Sequence, residues 1–325
     1  METFEIVAKK NKKRMIKRII LWSTAVVLAL GGVAFGTSIL LQKMASKNMQ
    51  EVTNYYDTRQ EIAYPNIYSS ARHIQLTANF TYSYQAERMK DLDGVLIPYN
   101  EITASAGPNF VQIDHSGDMV NIHGRQDGKT MIAYSNGGNV KVPQFFNVKN
   151  KENDDWVAQP SQELPLVSEM KGQLVEVALT FDKAYSYEEL QTMLPDNLKQ
   201  NWYWLGTYSS YNVADMDMSN LFGFKVMKGD LQYSFDIFRS KLKEALTDKH
   251  GFISRETSTG ESYNSKKELE YLDKTYKKAE DCKFSGVILT GKAENFAQLE
   301  GKEWIYASSI GASTPNQPYY KLDKE

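Results

Sequence analysis

An uninterrupted apolar segment near the start is the clearest pattern in the chain. Ile19–Leu41 contains 23 residues and no charged side chain. As a helix this segment would be about 34 Å long, enough to cross a hydrocarbon core of about 30 Å. A cleaved secretory signal is the alternative, but its apolar region would be shorter and followed by a small-residue cleavage site, whereas Ala34–Gly36 lies inside the run. The pattern therefore predicts a transmembrane helix over residues 19–41.

Basic side chains flank this segment unevenly. Only Lys43 and Lys47 follow it closely, whereas seven basic residues precede it. The positive-inside rule then predicts a cytoplasmic tail over residues 1–18 and places everything from residue 42 outside the membrane. We expect the tail either to attract anionic lipid or to contact a partner protein through the basic residues Lys9, Lys10, Lys12, Lys13, Arg14, Lys17 and Arg18.

After the span, the spacing changes from helical to alternating. Apolar residues at intervals of three and four predict a helical stalk over residues 42–64, and Pro65 marks its end. Residues 65–160 are predicted to form a β-rich lobe. Strict alternation over Ile74–Tyr84 indicates one half-buried strand, and Asp93-Gly94 indicates a tight turn. A hairpin is expected between Met119–His123 and Thr130–Tyr134, then a turn at Ser135–Gly138 and a linker at Lys149–Ser161.

Residues 161–325 read as an α+β domain. A capping box at Ser186–Glu189 opens a short helix between two strands, and a second strand–helix–strand unit ends the chain. We predict two βαβ units flanking a pair of helices, as in a ferredoxin-like sandwich, with the crossovers joining parallel neighbours. The predicted elements are Leu174–Phe181, Asn201–Tyr208, Asp230–Asp248, Lys266–Glu280, Phe284–Thr290, Ala293–Leu299 and Trp304–Ile310.

Charge and cysteine content narrow the class of protein. The chain has a net charge of −2, but residues 1–18 carry +5, so the rest carries −7. An acidic outer region argues against nucleic acid as the main ligand, because phosphate binding requires a basic face. The single cysteine, Cys282, excludes an intramolecular disulfide and is expected to be a small buried residue.

No motif indicates catalysis. GxSxG, P-loop and GxGxxG patterns are absent from the sequence, and the SxxK match at Ser240–Lys243 falls on the polar side of a predicted helix. His115 and His123 lack a third ligand at metal spacing. We therefore expect a protein that is not an enzyme, with no catalytic residue, metal or cofactor.

Two further sets of residues are candidates for contacts. Gly32 and Gly36 form a GxxxG pattern within the span, which would permit close helix pairing in a homodimer. Trp202 and Trp204 share one face of a predicted strand. If that face is exposed, the indoles would stack on a sugar or bind a peptide, and if it is buried they belong to the core.

Several strings together resemble the sigma factor regulator family. Val177–Leu190, Asn201–Thr207, Phe284–Gly291 and Ala307–Ala312 are similar to its C-terminal domain. The basic start, the single span and Tyr64–Ile67 are similar to its N-terminal domain. The resemblance implies a membrane-anchored regulator of the anti-sigma type, acting on an extracytoplasmic-function sigma factor in Gram-positive bacteria.

Two interpretations of function follow. The first is an envelope sensor whose outer lobes bind a ligand or protein and whose span relays the state to a sigma factor. With so little chain expected inside, the relay would use a second membrane regulator, helix pairing or a short contact of the tail. The alternative is a structural module that binds the cell wall or envelope and has no signalling role.

Overall fold

The computed structural model describes residues 2–127, 130–137, 140–150, 159–214, 216–256 and 262–324. Its first element, α1, is a continuous helix over Glu2–Ile62. At 1.5 Å per residue it is about 90 Å long. The predicted tail, span and stalk are therefore parts of one helix.

The surroundings of α1 change along its length. Residues 19–37 are exposed throughout, with Leu28 and Phe35 each 70% exposed. Ala45 and Val52 are 0% exposed, and Val52 shares a core with residues of a β-sheet. The predicted stalk is consequently part of the folded region that follows the apolar segment.

The sheet beside α1 is an antiparallel meander in the order β1-β2-β3-β4. Inward-facing residues of β2 and β3, such as Tyr84 and Ile102, pack on Met49 and Tyr56 of the helix. The predicted turn at Asp93-Gly94 is confirmed: both residues have positive φ, as a two-residue hairpin loop requires. The strands are β1 (Ile67–Leu76), β2 (Tyr82–Leu92), β3 (Val95–Gly107) and β4 (Phe110–Ile113).

The single strand predicted over Ile74–Tyr84 is wrong. The chain reverses there through a 3-10 turn at Ala78–Phe80. Ile74 pairs with Tyr84 and Leu76 with Tyr82 across the hairpin. Because partners in an antiparallel pair lie on the same face, the alternation continues through the turn and conceals it.

A second small sheet contains β5 (Asn121–Asp127), β6 (Thr130–Gly137) and β7 (Val140–Val142). It confirms the predicted hairpin, with His123 opposite Tyr134. Three parts of these predictions lie outside the described residues: Gly128 between the strands of the hairpin, Gly138 of the predicted turn, and residues 151–158 of the predicted linker.

The C-terminal region is built on a five-stranded sheet in the order β10-β9-β13-β8-β14, in which all paired strands are antiparallel. The four long strands have the order of a split βαβ arrangement, so the two predicted βαβ units are confirmed. The expectation of parallel neighbours is wrong, because each crossover skips one strand. The strands are β8 (Gln173–Tyr185), β9 (Lys199–Trp204), β10 (Gly223–Phe224), β13 (Phe284–Lys292) and β14 (Ile305–Pro315).

Helices cover one face of this sheet. Ser186 and Glu189 form the predicted capping box, and Asp230 and Asn264 cap the next two helices. The other elements of this region are α2 (Leu164–Val167), α3 (Tyr187–Met193), α4 (Leu231–Thr247), β11 (Ser254–Glu256), β12 (Ser262–Asn264), α5 (Ser265–Thr275) and 3-10 helices at Met218–Asn220, Ala279–Asp281 and Ala293–Leu299.

The other face of the sheet packs against the N-terminal part of the chain. Ala178 and Ile288 of the sheet share a core with Ile67, Tyr99 and Phe145. The regions on either side of residue 160 thus bury apolar surface against each other.

Candidate relay site at the end of the long helix

The chain leaves α1 through a constrained turn at residues 64–67. Tyr64 has φ 60° and Asn66 has φ 52°, on either side of Pro65. Left-handed backbone costs roughly 1–2 kcal/mol per residue outside glycine, so surrounding contacts must hold it. The turn sends β1 back along the helix, and it brings both side chains into the junction between the two sheets.

Tyr64 joins a buried ion pair. Its hydroxyl donates to Asp118 Oδ2 at 2.9 Å, and Arg88 Nη1 lies 2.6 Å from Asp118 Oδ1. The guanidinium of Arg88 stands over the rings of Tyr64 and Tyr99, at 5.3 and 5.2 Å from their centroids. Burial raises the pKa of Tyr64 well above its usual value, so its hydroxyl remains a donor at neutral pH.

Asn66 connects the N-terminal region to the C-terminal sheet. Its Nδ2 donates to Glu176 Oε1 at 2.8 Å and to the carbonyl of Asp91 at 3.0 Å. Its Oδ1 accepts from Asn201 Nδ2 at 2.9 Å and from the Tyr68 hydroxyl at 3.2 Å. The side chain therefore uses both its donor and acceptor groups in a site where it is 1% exposed.

Lys90 and Glu176 form a second buried ion pair across the junction. Lys90 Nζ lies 2.7 and 2.8 Å from the two carboxylate oxygens, and both side chains are 0% exposed. Burial lowers the pKa of Lys90, and Glu176 opposes that shift. A Cβ at Gly311 would lie 2.3 Å from Glu176 Oε2, so only glycine fits beside the carboxylate.

This network continues through the sheet. Thr290 Oγ1 donates to Asn201 Oδ1 at 2.7 Å and accepts from the backbone N–H of Asp93 at 2.9 Å. Buried, fully paired polar groups fix one arrangement of the elements that carry them, because any other arrangement leaves charges unpaired. These contacts link the end of α1 to the C-terminal sheet through one buried polar network.

A separate contact lies one turn earlier on α1. Arg59 is 2% exposed and donates from Nη2 to the carbonyl of Gly251 at 3.1 Å. Its guanidinium carbon lies 5.4 and 5.5 Å from the ring centroids of Tyr55 and Phe222. A Cβ at Gly251 would meet the Tyr55 ring at 2.3 Å, so the loop after α4 packs directly on the helix.

An open cleft of about 300 Å³ lies beside the turn. Tyr64, Tyr68 and Trp202 contribute its aromatic lining, while Lys225 and Glu61 contribute charges of both signs. Burial lowers the pKa of Lys225 and raises that of Glu61. In the described part of the chain, no three His, Cys, Asp or Glu side chains lie together as metal ligands.

The residues predicted from the sequence lie elsewhere. Lys9–Arg18 are exposed along α1, as are Gly32 and Gly36, where an added Cβ would meet no atom within 4 Å. Trp202 and Trp204 are 4% and 2% exposed and pack on Phe145. Cys282 is 1% exposed, and burial raises its pKa to about 12.

Sequence reasoning missed the buried network, although one signal was present. Glu176 is the only charged residue in the apolar run Leu174–Leu179, and a charge inside such a strand needs a buried partner. The partner itself was not identifiable, because Lys90 lies 86 positions away.

Among the residues that the structure describes, one helix is long and apolar enough to cross a membrane, and it precedes a folded α+β region. This arrangement supports a single-pass membrane protein. Two family models match the chain: Sigma factor regulator N-terminal over residues 5–97 and Sigma factor regulator C-terminal over residues 167–312. The chain therefore belongs to the sigma factor regulator family, which is a regulatory family. Neither a curated protein nor a solved structure matches it. The buried network joins the two matched regions, with Asn66 and Lys90 in the first and Glu176 and Asn201 in the second.

Proposed function

We propose that this protein is a membrane-anchored extracytoplasmic sensor that modulates an extracytoplasmic-function sigma factor, in the manner of an anti-sigma factor, directly or through a partner protein. The observation that carries the proposal is the helix α1. Its exposed apolar segment is continuous with residues that form the core of the outer region. A change in the outer region would therefore move the segment that lies in the bilayer.

The proposed orientation rests on charge. Seven basic residues precede the span and two follow it closely, which favours a cytoplasmic N-terminus. Cysteines placed singly at Glu5 and Glu303, in a Cys282→Ala background, test this with a membrane-impermeant thiol reagent on intact cells. We expect labelling at position 303 only. Labelling at position 5 alone would show that the protein has the opposite orientation.

The proposed regulatory role predicts a transcriptional effect. Deleting the gene should change transcription from promoters of an extracytoplasmic-function sigma factor under envelope stress, and complementation should restore it. Unchanged transcription in the deletion strain would contradict the role.

The proposed cytoplasmic contact is the basic segment Lys9–Arg18. A tagged full-length protein should co-purify a sigma factor or second regulator that a version lacking residues 2–14 does not. Replacing Lys9, Lys10, Lys12 and Lys13 by arginine keeps the charge and serves as the matched control, whereas glutamine at these positions removes it. If all versions co-purify the same partners, the basic segment acts by attracting anionic lipid and not by binding a protein.

We further propose that the span pairs through Gly32 and Gly36 in a homodimer. An added Cβ at either position would meet no atom within 4 Å in the monomer, so a substitution should act through pairing. Gly36→Leu should reduce cross-linked dimer in membranes, and Gly31→Leu is the control on a neighbouring face. Equal yields from both variants would contradict pairing at this site.

A further inference from the structure

The two β-hairpin turns nearest the membrane span have an unusual composition. Residues 74–86, around the β1–β2 turn, and residues 102–113, around the β3–β4 turn, contain no Asp, Glu, Lys or Arg. Charged residues make up 24% of the chain, so 25 residues in two segments would ordinarily include about six. The absence of charge at two neighbouring turns marks them as different from an ordinary solvated protein edge.

These turns also expose apolar side chains. Ile74 is 49% exposed, Leu76 45% and Phe110 40%. Phe80 and Tyr82 are partly buried. Aromatic residues with adjacent aliphatic ones are typical of the zone between lipid headgroups and acyl chains.

Both turns lie at the membrane end of the outer region. The 3-10 turn at Ala78–Phe80 contacts α1. Asn48 Nδ2 donates to the carbonyl of Gly107 at 2.8 Å, which fixes the β3–β4 turn at the level of residue 48. That level is seven residues beyond the end of the apolar segment at Leu41, or about 10 Å along the helix.

The burial pattern of α1 brings the sheet still closer to the bilayer. From Phe4 onward, Ser38 and Leu41 are the first partly buried residues of α1, and they share a face with Ala45 and Asn48. This spacing of three and four defines one side of a helix. The covered side therefore begins within the last turn of the predicted span.

We propose that the turns at residues 74–82 and 107–110 dock on the outer leaflet of the lipid bilayer, with Leu76 and Phe110 inserted at the headgroup level. The partner of this surface is lipid, because the surface is contiguous with that of the span. Lys43 and Lys47, exposed on the adjacent helix face, would meet anionic headgroups. Docking would restrain the tilt and rotation of the outer region relative to the membrane. This inference rests on the membrane anchoring proposed above.

Environment-sensitive fluorophores on single cysteines test the docking in the full-length Cys282→Ala chain, reconstituted in vesicles with anionic and neutral phospholipids. The probe positions are Leu76, Leu166 and Leu28. Leu166 is the matched control, since it is 52% exposed and belongs to the C-terminal region. We expect shallow spin-labelled lipids to quench the probe at Leu76 by about twofold or more over the probe at Leu166. Its emission should also shift to the blue.

Equal emission and quenching at Leu76 and Leu166 would overturn the docking. The probe at Leu28 separates this result from a failure of the anchor. Strong quenching at Leu28 by deep spin labels with none at Leu76 would leave the anchor intact and reject the docking. No quenching at Leu28 would reject the anchor as well. The probes replace exposed side chains, and circular dichroism of each labelled chain checks that it folds.

Discussion

Two parts of α1, the uncharged apolar segment over residues 19–41 and the more polar segment over residues 42–62, have opposite surroundings. Val27, in the span, is 66% exposed, whereas Val52, in the outer region, is 0% exposed. The same side chain therefore needs lipid in one half and has protein in the other. One continuous helix therefore contains both a segment that is apolar enough to span a membrane and a segment that belongs to the core of the folded region.

The contacts of α1 also indicate which part of the helix is held most firmly. Beyond the span, α1 is held laterally by apolar packing on β2 and β3, and at its end by Arg59, Tyr64 and Asn66. Apolar packing along the helix tolerates small shifts in position. The buried hydrogen bonds and ion pairs, in contrast, require particular distances and angles. Movement of the helix should therefore be resisted most strongly at the junction with the C-terminal sheet.

The largest expected effect comes from breaking the buried ion pair. Glu176→Ala leaves the Lys90 ammonium buried without a partner and should lower the free energy of unfolding by about 3–5 kcal/mol. Chemical denaturation of the full-length chain in detergent micelles measures this. Glu244→Ala is the control, since its ion pair with Lys241 is half-exposed and should contribute less than about 1 kcal/mol. Equal losses from both variants would contradict the role of the buried pair.

A matched pair of substitutions tests the two halves of the helix directly. Val52→Ala removes buried methyl groups and should lower the free energy of unfolding of the outer region by about 2–3 kcal/mol. Val27→Ala removes the same groups from a lipid-facing position and should leave that free energy unchanged. If both variants lost the same stability, the proposed division of the helix would be wrong.

A smaller effect concerns pH, which should act on the outer region and not on the span. Glu268 is 1% exposed and accepts from Thr207 Oγ1 at 2.6 Å, and burial raises its pKa to about 7. Because the pKa of Glu268 is higher in the folded than in the unfolded chain, its protonated form stabilises the fold. This stabilisation is fully present at a pH below the unfolded pKa near 4.5 and is lost as the pH rises through 7. Between pH 5 and 8, the ionisation of Glu268 alone should lower the free energy of unfolding by about 2 kcal/mol.

Glu268→Gln should remove that slope, because the amide does not ionise. The difference in free energy of unfolding between wild type and variant, measured from pH 5 to 8, isolates the contribution of Glu268 from other groups such as Asp93. Parallel curves for the two proteins would show that Glu268 ionises in the folded state as easily as in the unfolded one.

The sequence predicted local elements well, since their signals are local. The apolar run, the capping box at Ser186 and the Asp93-Gly94 turn each depend on residues close together in the chain. The hairpin hidden in Ile74–Tyr84 was missed because alternation is the same in one strand and across a turn of this length. The antiparallel neighbours within the C-terminal sheet were missed because strand order is set by packing between distant segments.

The relay site was beyond sequence reasoning for the same reason. Lys90 and Glu176 become partners only when two sheets meet, and Tyr64 acquires its role through Asp118. Burial of Trp202 and Trp204 was one of two open alternatives, and it depended on which element covered their strand. Phe145 and neighbouring residues cover it.

The central claim is that α1 connects the bilayer to the outer region as one rigid element. Two insertions between Gln42 and Lys43 test it: four alanines, which continue the helix by about one turn, and four glycines, which interrupt it. The measurement is sigma-dependent transcription with and without envelope stress, in a deletion strain complemented by each version. We expect the alanine insertion to preserve the response and the glycine insertion to abolish it, with equal amounts of protein in the membrane. A full response with the glycine insertion would contradict the claim.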